Sequence, residues 1–184
     1  MQHRLRNRTD AILRAFQARQ AQDLKRLGND SIEEAAVEND SELASLSVIA
    51  YSLYKILTKD HFLKSRVWPR LSQGIGNSLK KCLEAALKQN EAMYTKNLNN
   101  VISEIREIDD ELGHFAKNIY EKAKVKQAST AYALGLSLSQ AASLTGADRK
   151  ELQMYIGTTR IHDEQHATKP IHERVERLRE LLNT

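Results

Sequence analysis

An unbroken heptad pattern of apolar residues constrains the fold of this chain more than any other feature. The pattern alternates steps of four and three residues and consists of Tyr94, Leu98, Val101, Ile105, Ile108, Leu112, Phe115 and Ile119. Such a seam is typical of a helix that lies along a second helix. It predicts one helix from about residue 90 to about residue 127, roughly 55 Å long. The pattern keeps its phase across Gly113, so we expect one helix that is free to bend at this glycine.

The segments before the seam carry the start and stop signals of shorter helices. Thr9 and Gly28 are suited to begin and end the first, and Ser31 with Glu34 has the spacing of a capping box for the second. Ser41 is expected to restart the helix that follows. No run alternates β-branched and polar residues. The sequence therefore predicts an all-α fold, a long-helix bundle with antiparallel coiled-coil character.

Residues 59–76 contain the only tryptophan and several expected breaks. Pro69 marks a boundary, and Gly74 with Gly76 indicates a turn, after which a helix is expected from Asn77. Trp68 lies among basic residues. It is suited either to stack on a nucleic-acid base or to cap the end of the helix bundle.

Charge is distributed in blocks, although the formal net charge is only +4. Residues 1–28 carry seven basic and two acidic side chains, residues 29–54 carry six acidic and no basic ones, and residues 55–83 carry seven basic and one acidic. The two basic blocks are candidates for phosphate contacts, with a solvated helix face as the alternative for the first of them.

The sequence also favours a chain that stays in water. No apolar run approaches the length of a membrane span, and the N-terminal residues lack the apolar core of a signal peptide. The single cysteine, Cys82, has no intramolecular disulfide partner. We therefore expect a cytoplasmic protein that makes no membrane contact and has no cofactor.

Residues 136–157, with the sequence LSLSQAASLTGADRKELQMYIG, carry the clearest functional signal. Ala142 is small enough for two helices to cross closely, and Gly146, four positions later, suits a sharp turn at positive φ. Ser137 or Ser139 is expected to cap the first helix and Asp148 the second. A small shared core is expected from Ala141, Leu144, Leu152 and Tyr155 or Ile156.

This segment resembles the helix-turn-helix motif of many bacterial and archaeal DNA-binding regulators. A wider phrase, from Ala131 through Gly135 to Glu151, is also similar, more weakly, to the helix-turn-helix segment of prokaryotic antitoxin-like proteins. The first resemblance implies a transcriptional regulator that binds double-stranded DNA. Its recognition helix would be Arg149 to Ile156. The second implies a helical module that binds DNA, a protein partner, or both.

The helix-turn-helix resemblance also implies which side chains contact DNA. Arg149, Lys150 and Gln153 fall at the start of the presumed recognition helix, where such proteins read base edges. Ser139 and Gln140, at the start of the first helix, would reach the phosphate backbone. Glu151 weighs against this arrangement because it would face a polyanion.

The predicted organisation has three parts. Residues 1–127 form the bundle with the long heptad helix, residues 128–160 form the C-terminal helix-turn-helix module, and residues 161–184 form a linker and a terminal helix. That last helix has its apolar residues at Ile171, Val175, Leu178 and Leu182. A homodimer through the long helix or the terminal helix is expected, because an apolar seam must be covered.

Two alternatives to DNA binding remain open from the sequence. The first is a non-enzymatic protein-interaction module, antitoxin-like or adaptor-like. The second is an RNA-modifying or RNA-cleaving helical enzyme, since Arg160 and His166 have a spacing similar to that of HEPN-type ribonucleases. His162, His166 and His172 also lie close enough in sequence to be considered as metal ligands, with a solvated linker as the alternative. No other arrangement suggests catalysis, so the sequence predicts that the protein is not an enzyme.

Overall fold

The fold is entirely helical over the part of the chain that the computed structural model describes, residues 2–111 and 118–163. These residues form nine helices and no strand: α1 (Gln2–Gln17), α2 (Ala21–Glu38), α3 (Ser41–Leu57), α4 (Asp60–Leu63), α5 (Trp68–Leu87), α6 (Glu91–Glu111), α7 (Ile119–Ala133), α8 (Leu138–Thr145) and α9 (Arg149–Asp163). The predicted all-α bundle is therefore confirmed. None of these helices is long and apolar enough to cross a membrane.

Helix α3 forms the centre of the bundle. Twelve of its seventeen residues are buried, and it packs against α1, α2, α4, α6, α7 and α8. A helix that is apolar on most of its circumference needs such an enclosed position. Its start is fixed by Asp40, whose carboxylate accepts hydrogen bonds from the backbone N–H groups of Glu42 and Leu43, both at 3.0 Å. The predicted helix start at Ser41 is confirmed.

The helices before α3 are divided differently from the prediction. Gly28 and Ser31 lie inside α2 and do not separate two helices. The break falls instead at Arg19, whose φ is 54°. The Ser31 hydroxyl donates to the Leu27 carbonyl at 2.6 Å, which is a bond within the helix and not a cap. Gly28 serves the packing of α2 on α3: a Cβ there would lie 3.2 Å from the Ser47 carbonyl oxygen.

The predicted 38-residue helix is wrong, because the chain turns between α6 and α7. Asn118, immediately before α7, has φ 70°. The Arg106 guanidinium lies 5.1 Å from the ring centroid of Tyr120 and 3.1 Å from the Glu121 carboxylate. In one continuous helix residues 106 and 120 would be about 21 Å apart. Gly113, where a bend was expected, lies outside the described residues.

The heptad seam is nevertheless buried within one chain. Its described members are all in the core: Tyr94, Leu98, Val101, Ile105, Ile108 and Ile119. Leu112 and Phe115 lie outside the described residues. The main partner of the seam is α5, which runs antiparallel to α6, because Arg70 pairs with Glu107 whereas Cys82 approaches Tyr94. The described part of the seam therefore gives no reason to expect a dimer, and the predicted terminal helix lies outside the described residues.

Helix α5 is longer than predicted. It begins at Trp68, and Pro69 occupies its first turn, where the missing N–H removes no helical bond. Gly74 and Gly76 lie inside the helix, so the turn expected there is absent. Trp68 is buried and meets the Phe16 ring edge-on, with centroids 6.2 Å apart. It therefore packs in the bundle and is not available as a platform for stacked bases.

Helix α7 passes through the predicted boundary between residues 127 and 128. Gln127 is fully buried, and α7 packs against α2, α3, α8 and α9. The α8–α9 pair is thus joined to the bundle by a continuous helix.

Substitution of Gly28 by alanine is expected to lower the free energy of unfolding by about 1–3 kcal/mol, because the new methyl group meets the backbone of α3. This loss should exceed the stabilisation of up to about 1 kcal/mol that alanine gives over glycine through its higher helix propensity. Gly76→Ala is the matched control, since a Cβ at Gly76 has no atom within 4 Å, and it should stabilise the protein. Urea denaturation measures both, and equal stability of the two variants would contradict the close packing at Gly28.

Candidate nucleic-acid interface

Helices α7, α8 and α9 form a three-helix unit in which each contacts the other two. Its interior consists mostly of small residues, which allow close crossing. The buried members are Ala128, Ala131, Ala141, Ala142, Leu144 and Leu152. Tyr155 and Ile156 are partly buried against the same core. The residues predicted to form a shared core are therefore buried or partly buried on helices that contact one another.

The start of α8 has a complete capping box. The Ser137 hydroxyl accepts a hydrogen bond from the Gln140 backbone N–H at 3.2 Å, and the Gln140 side-chain oxygen accepts one from the Ser137 N–H at 3.0 Å. Ser137 is thus the cap, and Ser139 is an exposed residue of the first turn. The Gln140 carbonyl is occupied by this box, and its NH₂ group is left to donate outward.

The turn between α8 and α9 has the predicted local chemistry. Gly146 adopts φ 67°, and the Ala147 N–H donates to the Ala142 carbonyl at 3.0 Å. Asp148 then caps α9, because its carboxylate accepts from the N–H groups of Lys150 and Glu151, both at 2.9 Å. Helix α9 continues to Asp163 and so extends past the predicted end at Ile156.

Helix α9 presents most of its first two turns to solvent. Leu152 is fully buried, whereas Arg149, Lys150 and Gln153 are exposed. Glu151 is exposed beside them, and Met154 has 64% of its surface exposed. The three residues predicted to read bases therefore lie on the accessible side of this helix.

The five predicted site residues form two groups. Ser139 and Gln140 are at the start of α8, and Arg149, Lys150 and Gln153 are at the start of α9. The length of α8, about 12 Å for its eight residues, separates the first group from the turn that precedes the second. Both groups are exposed.

The charge around the start of α9 is balanced. Arg149, Lys150 and the nearby Lys124 are basic, and Lys124 lies about 4 Å from where a Cβ of Gly146 would be. Asp148, Glu151 and Glu121 are acidic, and Glu121 forms an ion pair with Lys124 at 2.9 Å. A surface with equal numbers of both signs does not attract a polyanion by charge alone.

The N-terminal basic block is largely engaged within the protein. Arg4 pairs with Glu34 and Glu38, and Arg8 pairs with Glu34 at 3.0 Å and with Asp30. These pairs join α1 to α2 and match part of the first basic block with part of the acidic block. Arg4 and Arg8 are thus turned toward α2 and are poor candidates for phosphate contacts.

A cluster of tyrosine and lysine side chains beside α9 was not predicted. The Lys55 ammonium lies 5.4 Å and 5.3 Å from the ring centroids of Tyr51 and Tyr54, and Lys25 lies 5.7 Å from that of Tyr54. Burial raises the pKa of Tyr51 to about 12, with further contributions from Tyr155 of α9 and from Tyr54. The cluster therefore contains two lysines of the bundle, and its member Tyr51 interacts with Tyr155 of α9.

Within the described residues no group of three potential ligands is placed to hold a metal ion. His166 and His172 lie outside the described residues, as do the side chains of Arg160 and His162.

Comparison with protein-family models, with curated proteins and with solved structures gives no match for this chain.

Replacing Asp148 by alanine should lower the free energy of unfolding by about 1 kcal/mol, because two N–H groups of α9 lose their acceptor. Asp148→Asn is the control, since an amide oxygen accepts the same hydrogen bonds without the charge. Thermal unfolding distinguishes the two variants. If alanine and asparagine have the same effect, the carboxylate does not act as the helix cap.

Proposed function

We propose that this protein binds double-stranded DNA through α9 and acts as a transcriptional regulator. The observation that carries the proposal is the exposed trio of Arg149, Lys150 and Gln153 on the first turns of a capped helix. That helix is supported by α7 and α8 through the buried Leu152. An α-helix supported in this way fits the major groove of B-form DNA.

Each side chain of the trio has a chemical role in this proposal. The Arg149 guanidinium suits the two acceptors of guanine, and the Gln153 amide suits adenine. Lys150 suits a phosphate as a point charge. At the start of α8, the free NH₂ group of Gln140 and the hydroxyl of Ser139 are suited to donate to the backbone.

Because the charges near the start of α9 balance, non-specific attraction of DNA requires basic side chains outside this surface. Lys25 and Lys55 are candidates, because Tyr51 of the tyrosine–lysine cluster interacts with Tyr155 of α9. Both ammonium groups rest against ring faces and retain N–H groups for an anion. In this proposal they contact phosphates at the flank of the site.

A protein-interaction module is the second candidate function. It is favoured by the large exposed surface of Met154 between acidic and basic neighbours. Methionine is frequent in the core of protein interfaces, and a mixed-charge rim suits a protein partner better than a polyanion.

Fluorescence anisotropy with a duplex library at two salt concentrations tests DNA binding. Arg149→Ala and Gln153→Ala should each weaken specific binding by about 1–3 kcal/mol and relax sequence preference. Lys150→Ala should weaken binding to all sequences and reduce the salt slope by about one unit. Arg14→Ala is the control, because Arg14 is an exposed arginine of α1 paired with Asp10, and it should have no effect.

Removal of a negative charge beside the trio should have the opposite effect on DNA affinity. Glu151→Gln should strengthen binding to DNA, since a carboxylate no longer faces the phosphates. A dissociation constant of the wild-type protein for duplex DNA above about 100 μM at low salt would lie outside the usual non-specific range. That result would contradict DNA binding and favour the protein-interaction module.

A further inference from the structure

A polar cleft lies between the end of α1 and the middle of α5, and it shares no residue with the α9 surface. Its volume is about 390 Å³, within the range that binds small molecules. Phe16 and Trp68 are among its lining residues, although each is only 6% exposed, and amide side chains from both helices line it as well. The cleft is therefore large enough for an organic ligand and offers both apolar and hydrogen-bonding surface.

The charged groups of the cleft are all positive. Arg19 and Lys80 line it, and no described acidic side chain does. Most described arginines are held by carboxylates, such as Arg14 by Asp10 and Arg26 by Asp23, whereas Arg19 and Lys80 form no described ion pair. The last carbonyl groups of α1 contribute about half a negative charge at the rim, which the two full positive charges exceed. The cleft thus selects for an anion.

Arg19 holds its position at a conformational disadvantage. Its φ of 54° is in the left-handed region, where glycine is usual at the end of a helix. Replacement of Arg19 by glycine would therefore relieve this strain and remove the side chain from the cleft. Gln89 provides a comparison, because it has φ 55° at the end of α5 and does not line this cleft.

Gly76 lies on the side of α5 that lines the cleft, and it has no side chain to occupy the cleft. A Cβ at this position has no atom within 4 Å, and the residue lines the cleft. A larger side chain there would project into the cleft without displacing the protein core. Gln73 and Asn77, spaced four apart on α5, place amide groups on the same wall.

The geometry points to a binding site for a small phosphate ester with a planar, hydrogen-bonding portion, of the size of a mononucleotide. Arg19 would hold the phosphate with its paired N–H groups, and Lys80 would add a second positive charge. Gln73 and Asn77 would bond to the edge of the planar group, whose face would contact the small accessible part of Phe16 and Trp68. This inference does not depend on DNA binding.

Trp68 provides a direct readout, because it is the only tryptophan of the chain and lines the cleft. The four common nucleoside monophosphates are titrated into the full-length protein while its intrinsic fluorescence is followed. At least one should give a saturable change below about 1 mM. The matching nucleoside and inorganic phosphate should each bind at least about tenfold more weakly, since each lacks one half of the contacts.

Two pairs of variants separate binding from folding. Arg19→Gly should raise the melting temperature by relieving strain and weaken nucleotide binding at least about tenfold. Gln89→Gly should raise the melting temperature similarly and leave binding unchanged. Gly76→Gln should abolish binding by filling the cleft, whereas Gly157→Gln, at an open glycine of α9, should not.

Three results would overturn this assignment. One is the absence of a saturable fluorescence change with any monophosphate at about 1 mM. Another is binding of inorganic phosphate as tight as that of the nucleotide, which would indicate a simple anion contact. The third is unchanged binding in Arg19→Gly or Gly76→Gln, which would place the ligand elsewhere.

Discussion

The close approach of α2 to α3 at Gly28 is the contact on which the rest of the structure depends. Because Gly28 has no side chain, the backbone of α3 passes next to it at the Ser47 carbonyl and the Tyr51 N–H. The Gln127 amide of α7 reaches the same position, at 3.5 Å from where a Cβ would be. Three helices therefore meet at one residue, and α7 continues from there to support α8 and α9. The orientation of the candidate interface follows from this junction.

Features that depend on neighbouring residues were predictable from the sequence. Ser137, one of the two serines considered as a cap, and Gly146 and Asp148 define helix ends where the sequence placed them, and α3 begins at Ser41 as expected. Capping and positive φ involve only a few consecutive residues. The burial of the heptad seam was also predictable, since its periodicity is a property of one segment. These local signals are sufficient to identify the α8–α9 pair and its exposed residues.

Features that depend on distant residues were not predictable. Glycine was read as a turn signal, yet Gly28 and Gly74 lie inside helices: Gly28 admits the α3 backbone, and Gly74 leaves room for the Glu104 side chain. Several helix ends use other residues at positive φ, namely Arg19, Asn39, Gln89 and Asn118. Ile119 fits the heptad spacing of α6 although it is the first residue of α7, so the spacing did not reveal the break between the two helices. The tyrosine–lysine cluster joins α2, α3 and α9, so no single segment could reveal it.

We propose that α9 is a DNA-binding surface held in place by the bundle, and that a separate cleft between α1 and α5 binds an anion. Two-dimensional NMR of the ¹⁵N-labelled protein, titrated with duplex DNA, tests the first claim residue by residue. The account predicts that amide shifts change at residues 137–140 and 146–154 and at the neighbouring lysines of α2 and α3, and that α5 is unaffected. Shift changes confined to α1 and α5, or none at all with saturating DNA, would contradict it.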